Sequence, residues 1–376
     1  MLRFRAGGIV GLGMIGVLLA AGTGRGEQPA GATPQPLAVA RRVADHYAAS
    51  HKVQLHYADL LTLYGLMRLA EVAERTDYDA FADRALAGLV RGKPPSGLSF
   101  ENYKMGGIPA TYRYVQGRPA GDRALLRKAV DQLIKDHPRD RQGVFCHPRE
   151  PGEKIWVDCL MAVCPFLSMS AGVLGDARLH DESIAQYVGM ERALLDPKLG
   201  LFHQVKNFGD PGGISVDTWG RGNGWALIGL AELLRYLPKE HPQRDAMVQR
   251  LAALMKALEP LQAPSGRWRQ NLVTPDSYEE TSGSGLILYA LAMGLRKGWL
   301  PPTMRPMADR AWAGLAGTVD EGGAVRGTCV STRGTSRDSL KFYLERPTKT
   351  DDIHSFAPVL LAAVEMHLLR AGRAEP

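Results

Sequence analysis

The segment 218–237 reads TWGRGNGWALIGLAELLRYL, and the spacing of its apolar residues indicates the fold class. Apolar residues recur at intervals of three and four, which places them on one helix face, and Pro238 follows as a stop signal. Further segments share this spacing, whereas the two-residue alternation typical of strands is almost absent. We therefore predict an all-α protein with helices at 37–50, 55–75, 77–91, 105–117, 121–136, 155–174, 178–195, 218–237, 243–262, 281–297, 302–317 and 353–371.

The loops between these helices differ in length in a regular way. Each long loop precedes an even-numbered helix, at 92–104, 137–154, 196–217, 263–280 and 318–351. If successive helices run up and down, all long loops lie at one end of the molecule, which we call the loop-bearing rim. Six helical hairpins closed into a ring, an (α/α)6 barrel, would have this arrangement, and so would an open solenoid of hairpins. We expect the barrel, as one catalytic domain at residues 37–372, with functional residues on the rim.

The composition is that of an ordinary globular protein. The 376 residues are 45% hydrophobic and 23% charged, which excludes a disordered chain and a multi-span membrane protein. Lys and Arg number 46 against 39 acids, a net charge of +7 without an arginine-rich tract, so we expect no nucleic-acid partner. The sequence contains neither CxxC nor HExxH, so we expect no zinc site of standard spacing, and we predict no cofactor.

The N-terminus has the pattern of an export signal. Arg3 and Arg5 precede an apolar run at 7–21, which ends in small residues. We predict a secretory signal peptide at 1–26 and a linker at 27–36, hence a periplasmic or secreted protein with no membrane span after signal removal. The GLGMIG at 11–16 matches the dinucleotide fingerprint GxGxxG, but no second strand or acid follows it, so we do not interpret it as a cofactor site.

The segment WGRGNGW, Trp219–Trp225, combines a cation with two aromatic side chains. Arg221 and Trp225 are four residues apart, so a helix places them on one face. A guanidinium beside an indole suits a sugar that carries a carboxylate, through paired hydrogen bonds to the acid and stacking on the ring. The spacing is equally consistent with an Arg–Trp stack that only packs.

Asp158 is an acid in the apolar segment IWVDCLM, at 155–161. Burial would raise the pKa of its carboxyl towards the range useful for a general acid, whereas a helix N-terminus would lower that pKa. From the spacing alone, Asp158 could be a catalytic acid or a helix cap. Four cysteines are too few for a disulfide framework, but Cys146 and Cys329 both lie in rim loops and could pair in an oxidising compartment.

Six short motifs, in this order, carry a family resemblance. They are GVFCH at 143–147, WVD at 156–158, GLFH at 200–203, WGRGNGW at 219–225, ETSG at 280–283 and DDIH at 351–354. The chain resembles the unsaturated glycuronyl hydrolases of glycoside hydrolase family 105, to which family 88 is closely related. The resemblance runs through most of the chain after residue 36.

The resemblance implies an (α/α)6 barrel without a metal. It also implies release of a Δ4,5-unsaturated uronic acid from the non-reducing end of an oligosaccharide that a polysaccharide lyase has made. Asp158 matches the acid that protonates C4 of the C4=C5 double bond, after which water adds at C5. The predicted substrate-binding residues are His147, His203, Trp219, Arg221, Trp225, Glu280 and His354.

One segment departs from the family pattern. Where relatives carry a second acid, this chain has glycine at 106 and 107. Either another rim acid substitutes (Asp59, Glu280 or Asp352), or the preference for the neighbouring sugar differs, or the activity is weak.

Two other interpretations stay open from the sequence. The same barrel could hydrolyse a saturated glycoside through two carboxylates, or it could bind acidic glycans without catalysis. For the unsaturated glycuronyl hydrolase we expect a small unsaturated oligosaccharide as the substrate, and a monomer or weak homo-oligomer.

Overall fold

The computed structural model describes residues 33–54, 56–89, 100–118, 122–147, 152–332, 335 and 337–372. The predicted signal peptide at 1–26 and most of the predicted linker at 27–36 lie outside the described residues. One compact unit spans Pro34–Pro376, and its described residues are mostly helical, as predicted.

The described part contains twelve longer helices and two short ones. They are α1 (Pro36–Ser50), α2 (Tyr57–Ala73), α3 (Thr76–Leu89), α4 (Glu101–Lys104), α5 (Gly107–Val115), α6 (Arg123–Asp136), α7 (Asp158–Leu174), α8 (Arg178–Leu194), α9 (Gly220–Tyr236), α10 (Arg244–Leu258), α11 (Thr281–Arg296), α12 (Arg305–Ala316), α13 (Leu340–Leu344) and α14 (Phe356–Ala371). Each predicted helix corresponds to one of the longer helices, whereas α4 and α13 were not predicted.

Six helices form a closed inner ring. Helices α2, α5, α7, α9, α11 and α14 pack each against the next in this order, and α14 packs against α2 to complete the ring. The other six long helices pack on the outside: α1 against α14, α3 against α2, α6 and α8 against α7, α10 against α9 and α12 against α11. The predicted (α/α)6 barrel is therefore confirmed, and an open solenoid is excluded by the contact between α14 and α2.

Four small sheets of two strands lie in the loops at the rim. The strands are β1 (Ile155–Trp156), β2 (Leu195–Asp196), β3 (Leu201–Phe202), β4 (Val205–Lys206), β5 (Trp268–Arg269), β6 (Glu279–Glu280), β7 (Thr328–Cys329) and β8 (Thr348–Lys349). The antiparallel pairs are β1 with β4, β2 with β3, β5 with β6 and β7 with β8. These pairings hold the long loops in place above the inner helices.

Most predicted helix starts differ from the observed ones by one to three residues, and three of these differences have a clear local cause. The helix predicted from 155 begins at Asp158, because Ile155 and Trp156 pair with β4 instead of joining the first turn. The helix predicted from 353 begins at Phe356, after a turn in which the backbone N–H of Ser355 bonds to the carbonyl of Asp352. The helix predicted from 105 begins at 107, since Gly106 has a left-handed backbone with φ of 116°.

Glycines allow the inner helices to approach closely. A Cβ at Gly229 of α9 would lie 2.7 Å from the carbonyl oxygen of Leu160 in α7. A Cβ at Gly285 of α11 would lie 2.6 Å from Cβ of Pro358 in α14. Real side chains do not reach such distances, so both contacts depend on the missing Cβ atoms.

The end of the barrel opposite the rim contains buried ion pairs. Glu365 of α14 accepts hydrogen bonds from Arg68 of α2 at 3.3 Å and from Arg296 of α11 at 2.8 Å. Buried charges of this kind are tolerated only when they are paired and hydrogen-bonded, so three inner helices are tied together at this end. None of the helices in the described ranges is long and apolar enough to span a membrane.

We expect Gly229→Ala to lower the free energy of unfolding by about 1–3 kcal/mol, because the added methyl group overpacks the α7–α9 contact. Gly172→Ala is the matched control, since a Cβ there would have no atom within 4 Å and alanine favours the helix. Urea denaturation of both variants measures the difference. Equal stability of the two variants would contradict the close approach of α7 and α9.

Candidate active site

The N-terminal ends of the inner helices converge at the rim. Tyr57 begins α2, Asp158 begins α7, Arg221 lies in the first turn of α9, and Ser282 lies in the first turn of α11. His354 lies in the turn that leads into α14. Each helix N-terminus carries a partial positive charge, so this end of the ring favours a negatively charged ligand.

Asp158 is almost fully buried, with 1% of its surface exposed. Within the described residues, its carboxylate oxygens accept no hydrogen bond from another side chain. Burial raises the pKa of the carboxyl to about 7, and the positive charge of Arg221 acts in the opposite direction. The negative charge of Asp217 adds to the increase. Asp158 therefore exchanges a proton near neutral pH, as a general acid must.

Arg221 is buried and holds three segments together. Its Nη1 donates to Oγ of Ser282 at 2.9 Å and to the carbonyl of Cys329 at 2.8 Å, and its Nη2 donates to the carbonyl of Val330 at 3.2 Å. The guanidinium carbon lies 4.7 Å from the ring centroid of Trp219. In the described part of the chain, Nε has no hydrogen-bond partner. A guanidinium has five N–H protons, so Nε and the second proton of Nη2 remain for a ligand.

His354 is buried between two polar partners. Its Nε2 lies 2.8 Å from the hydroxyl of Tyr57, and its Nδ1 lies 2.6 Å from Oδ1 of Asp352. Burial, together with the charge of Arg221, lowers the pKa of His354 to about 4. His354 is therefore neutral at physiological pH.

The two tryptophans of the WGRGNGW segment line the same region. Trp219 stacks under Arg221, and Trp225 meets the ring of Tyr57 edge to face at 6.2 Å. Both indole N–H groups are buried and have no acceptor among the residues that the structure describes. Such groups can donate to sugar hydroxyls while the ring faces provide apolar contact.

His147 belongs to an aromatic cluster beside Asp158. Its ring lies 5.2 Å from that of Trp156 and 5.7 Å from that of Phe208. Trp156 is partly exposed and lies in β1, two residues before Asp158. The cluster therefore forms part of the rim next to the acid.

Two of the predicted substrate-binding residues are engaged within the protein. His203 places Nδ1 2.7 Å from the carbonyl of Asp217 and Nε2 3.6 Å from Oδ2 of Asp196. Glu280 caps α11, because its carboxylate accepts bonds from the backbone amides of Ser282 and Gly283. These contacts hold the loops that enter α9 and α11.

The backbone and the close neighbours of Gly107 disfavour a second acid at that position. Gly107 has φ of 64°, and a Cβ there would lie 3.2 Å from the ring of Tyr103 and 3.3 Å from Leu60. Of the rim acids that could substitute, Asp59 is bonded to His51, Gln54 and Tyr47, Glu280 caps α11, and Asp352 is bonded to His354. All three substitutes are thus engaged in contacts within the protein.

All four cysteines are free thiols and buried, so the pairing of Cys146 with Cys329 that the sequence left open is not formed. Nowhere in the described ranges do three or more His, Cys, Asp or Glu side chains form a group that could hold a metal ion.

The sequence analysis did not assign a role to Tyr57 or to the backbone carbonyls at 329 and 330, and it considered Asp352 only as a substitute acid. Tyr57 and Asp352 lie within polar clusters of the rim loops, but their sequence positions do not reveal that they flank His354. The carbonyls that bind Arg221 have no sequence signal, because every residue has a backbone carbonyl whatever its side chain is. Ser282 does not cap α11 itself: its backbone N–H and its hydroxyl both donate to the carboxylate of Glu280, which is the capping residue.

Comparisons with known proteins agree with this architecture. The family model described as Glycosyl Hydrolase Family 88 matches residues 38–370. An unsaturated 3S-rhamnoglycuronyl hydrolase of Formosa agariphila is 31% identical over 182 residues, which is 45% of this chain and about half (48%) of that relative's length. An unsaturated rhamnogalacturonyl hydrolase of Bacillus subtilis is 28% identical over 243 residues, 61% of this chain and 68% of the relative.

A solved structure supports the fold. A family 105 glycoside hydrolase of C. acetobutylicum superposes with a TM-score of 0.77 at 24% identity, covering 87% of this chain and 98% of that one.

We expect Asp158→Asn to be more stable than the wild type at pH 8, by on the order of 4 kcal/mol. Folding raises the pKa of Asp158 from 3.8 to about 7, so the folded protein favours the protonated carboxyl. The free energy of unfolding of the wild type is therefore not reduced by this group below about pH 4. As the pH rises from about 4 through 7, the unfolded chain releases the proton more readily than the folded protein, and the free energy of unfolding falls. Asparagine has no proton to release, so Asp158→Asn does not show this fall.

Thermal unfolding at pH 4 and pH 8 measures this effect. The control is Asp131→Asn, at an acid whose side chain is 63% exposed, and we expect this variant to unfold close to the temperature of the wild type at both pH values. A difference between wild type and Asp158→Asn that is the same at both pH values would be inconsistent with a raised pKa.

Proposed function

The chain belongs to glycosyl hydrolase family 88, and on that basis we propose that it is a glycosidase specific for unsaturated uronic acids. The substrate is an oligosaccharide with a Δ4,5-unsaturated uronate at its non-reducing end. The products are the uronate as an open-chain keto acid, without the double bond, and the shortened oligosaccharide. Two buried groups at the same end of the ring carry the proposal: Asp158, whose carboxylate has no hydrogen-bond partner among the described residues, and the cation Arg221. One supplies a proton near neutral pH, and the other supplies charge for a carboxylate.

Asp158 acts first as general acid and then as general base. Its carboxyl proton goes to C4, and the positive charge that develops at C5 is shared with the ring oxygen. Water adds at C5, and its proton returns to the Asp158 carboxylate, which regenerates the acid. The resulting hemiketal opens and releases the neighbouring sugar. The double bond is hydrated before the glycosidic linkage breaks, so the two-carboxylate geometry of ordinary glycosidases is not required.

Arg221 binds the uronate carboxylate. Its Nε and the remaining Nη2 proton lie in a water-poor site, where a charge-assisted hydrogen bond is stronger than at the surface. The indole N–H groups of Trp219 and Trp225 donate to sugar hydroxyls. His147, through its contact with Trp156, extends the binding surface towards the next sugar.

The names of the relatives suggest the neighbouring sugar. Both describe hydrolysis next to rhamnose, as rhamnoglycuronyl or rhamnogalacturonyl hydrolases. We therefore propose rhamnose as the sugar that is released from the uronate. The export pattern at 1–26 supports a periplasmic or secreted location, where products of polysaccharide lyases arise.

We expect the wild type to remove the ultraviolet absorbance of Δ4,5-uronyl disaccharides, and Asp158→Asn to lose at least about 100-fold in kcat because amide protons are not acidic. Disaccharides from pectin, ulvan, xanthan and glycosaminoglycans serve as the substrate panel. Binding of the same disaccharides by Asp158→Asn, measured by calorimetry, shows that the site is intact.

Two results would refute the proposed reaction. Full activity in Asp158→Asn would exclude Asp158 as the acid. Turnover of saturated p-nitrophenyl uronides, with no loss of the double bond from unsaturated substrates, would favour the two-carboxylate mechanism instead.

We expect kcat/KM to fall as the pH rises through about 7, because the first step needs the protonated form of Asp158 and burial holds its pKa there. The initial rate at low substrate concentration, measured across a range of pH, provides the profile. A rate that increases through neutral pH would contradict a general acid with this pKa.

A further inference from the structure

A hydrogen-bonded chain of three side chains enters the site from the side of α2 and α14. The hydroxyl of Tyr57 lies 2.8 Å from Nε2 of His354, and Nδ1 of His354 lies 2.6 Å from Oδ1 of Asp352. All three residues are buried. The reaction described above uses none of them, although two come from the helix ends that surround Asp158.

The surroundings of Asp352 determine which nitrogen of His354 carries the proton. Oδ1 of Asp352 accepts the backbone N–H of His354 at 3.1 Å as well as the contact from Nδ1. These bonds also lower the pKa of the Asp352 carboxyl, so this oxygen is an ionised acceptor. Nδ1 must therefore be the donor, and in a neutral imidazole Nε2 is then the acceptor.

This tautomer fixes the direction of the Tyr57 hydroxyl. Because Nε2 has no proton, the hydroxyl of Tyr57 must donate to it, and only the oxygen lone pairs of Tyr57 remain for other partners. Burial raises the pKa of Tyr57 well above its usual range, so the hydroxyl keeps its proton. Tyr57 can accept a hydrogen bond from a ligand or a water, but it cannot donate one.

Tyr57 and Asp158 begin α2 and α7 at the same end of the ring, and the ring of Tyr57 packs edge to face on Trp225 of α9, with the ring centroids 6.2 Å apart. The charges of Asp158 and Arg221 both act on the Tyr57 hydroxyl, in opposite directions. Tyr57 and Asp158 nevertheless share no hydrogen bond, since neither oxygen of Asp158 is bonded to a described side chain. A water molecule has two protons, so it can donate one hydrogen bond to the oxygen of Tyr57 and the other to the carboxylate of Asp158.

We propose that Tyr57 is a further catalytic residue, which orients the water that adds at C5, and that His354 and Asp352 are positioning residues that keep Tyr57 an acceptor. This inference rests on the proposed function. One proton of the water points to Tyr57 and stays on the water oxygen, which becomes the hydroxyl at C5. The other proton passes to the Asp158 carboxylate as the C5–O bond forms. Tyr57 keeps its own proton throughout, so the step needs no further reactant.

Nitrogen NMR of the full chain with 15N-labelled histidine tests the tautomer without a substrate. At pH 7 we expect His354 to have a protonated Nδ1 and an unprotonated Nε2, and His354→Gln assigns its signals by their absence. In Tyr57→Phe the Nε2 signal should move further downfield, because the hydrogen bond to the lone pair is lost. A protonated Nε2 in the wild type would overturn the proposal.

Kinetics on Δ4,5-uronyl disaccharides test the role in catalysis. We expect Tyr57→Phe to lower kcat by about 10- to 100-fold with KM within about threefold, because the lost bond orients water and does not hold the substrate. His354→Leu should lose a similar factor, whereas His354→Gln, which keeps an acceptor for the Tyr57 hydroxyl, should retain more activity than His354→Leu. Tyr103→Phe is the control, since that buried hydroxyl bonds to the sulfur of Met161 at 3.3 Å.

The outcomes separate the possible failures. If the hydrogen bonds of Tyr57, His354 and Asp352 only stabilise the packing of α14 against α2, Tyr57→Phe lowers the melting temperature but leaves kcat of the folded enzyme within twofold. That result would show the proposal to be wrong. An increase in KM alone would assign Tyr57 to substrate binding and would also refute it. If the wild type acts on no unsaturated substrate, the proposed function fails and the role in water addition fails with it, while the NMR result still decides the tautomer.

Discussion

The buried positive charge of Arg221 is the constraint on which the site depends. A guanidinium stays charged inside a protein, so its surroundings must supply acceptors, and here they come from α11 and from the segment at 329 and 330. Burial lowers the pKa of His354, and the same charge lowers it further, whereas the charge limits how far burial raises the pKa of Asp158. One side chain thus joins three segments of the rim and contributes to the protonation of the groups around it.

The closed ring explains why these groups can meet. Each inner helix is preceded by an outer helix that runs back to the rim, so all inner helices point their N-termini towards the rim. The partial positive charges of those ends add to Arg221, which makes the rim suitable for an anion although the net charge of the whole chain is only +7. The position of Arg221 and of the helix N-termini, and not the net charge of the chain, makes the rim suitable for an anion.

The sequence predicted much of the fold but only part of the site. Apolar periodicity located the longer helices, because a helix in such a ring must present one face to its neighbours. It did not locate the start of α7, since pairing of Ile155 with Lys206 is a contact between distant segments. Asp158, Arg221 and Trp225 were found from local chemistry and family resemblance, and the structure brings them together. The roles of Glu280 and Tyr57 depend on which backbone groups and side chains surround them, and that information is not local in the sequence.

The contact between α2 and α14 has a consequence for how the protein is made. These are the first and last helices of the inner ring, about 300 residues apart in the chain, and α1 also packs against α14. During synthesis α1 and α2 leave the ribosome long before α14 is made. The apolar surfaces of α1 and α2 that pack against α14 therefore stay exposed until α14 is synthesised. An incomplete chain is therefore prone to aggregation. Removal of the last two turns of α14 would weaken the contact that closes the inner ring, and so affect the whole barrel and not only its end.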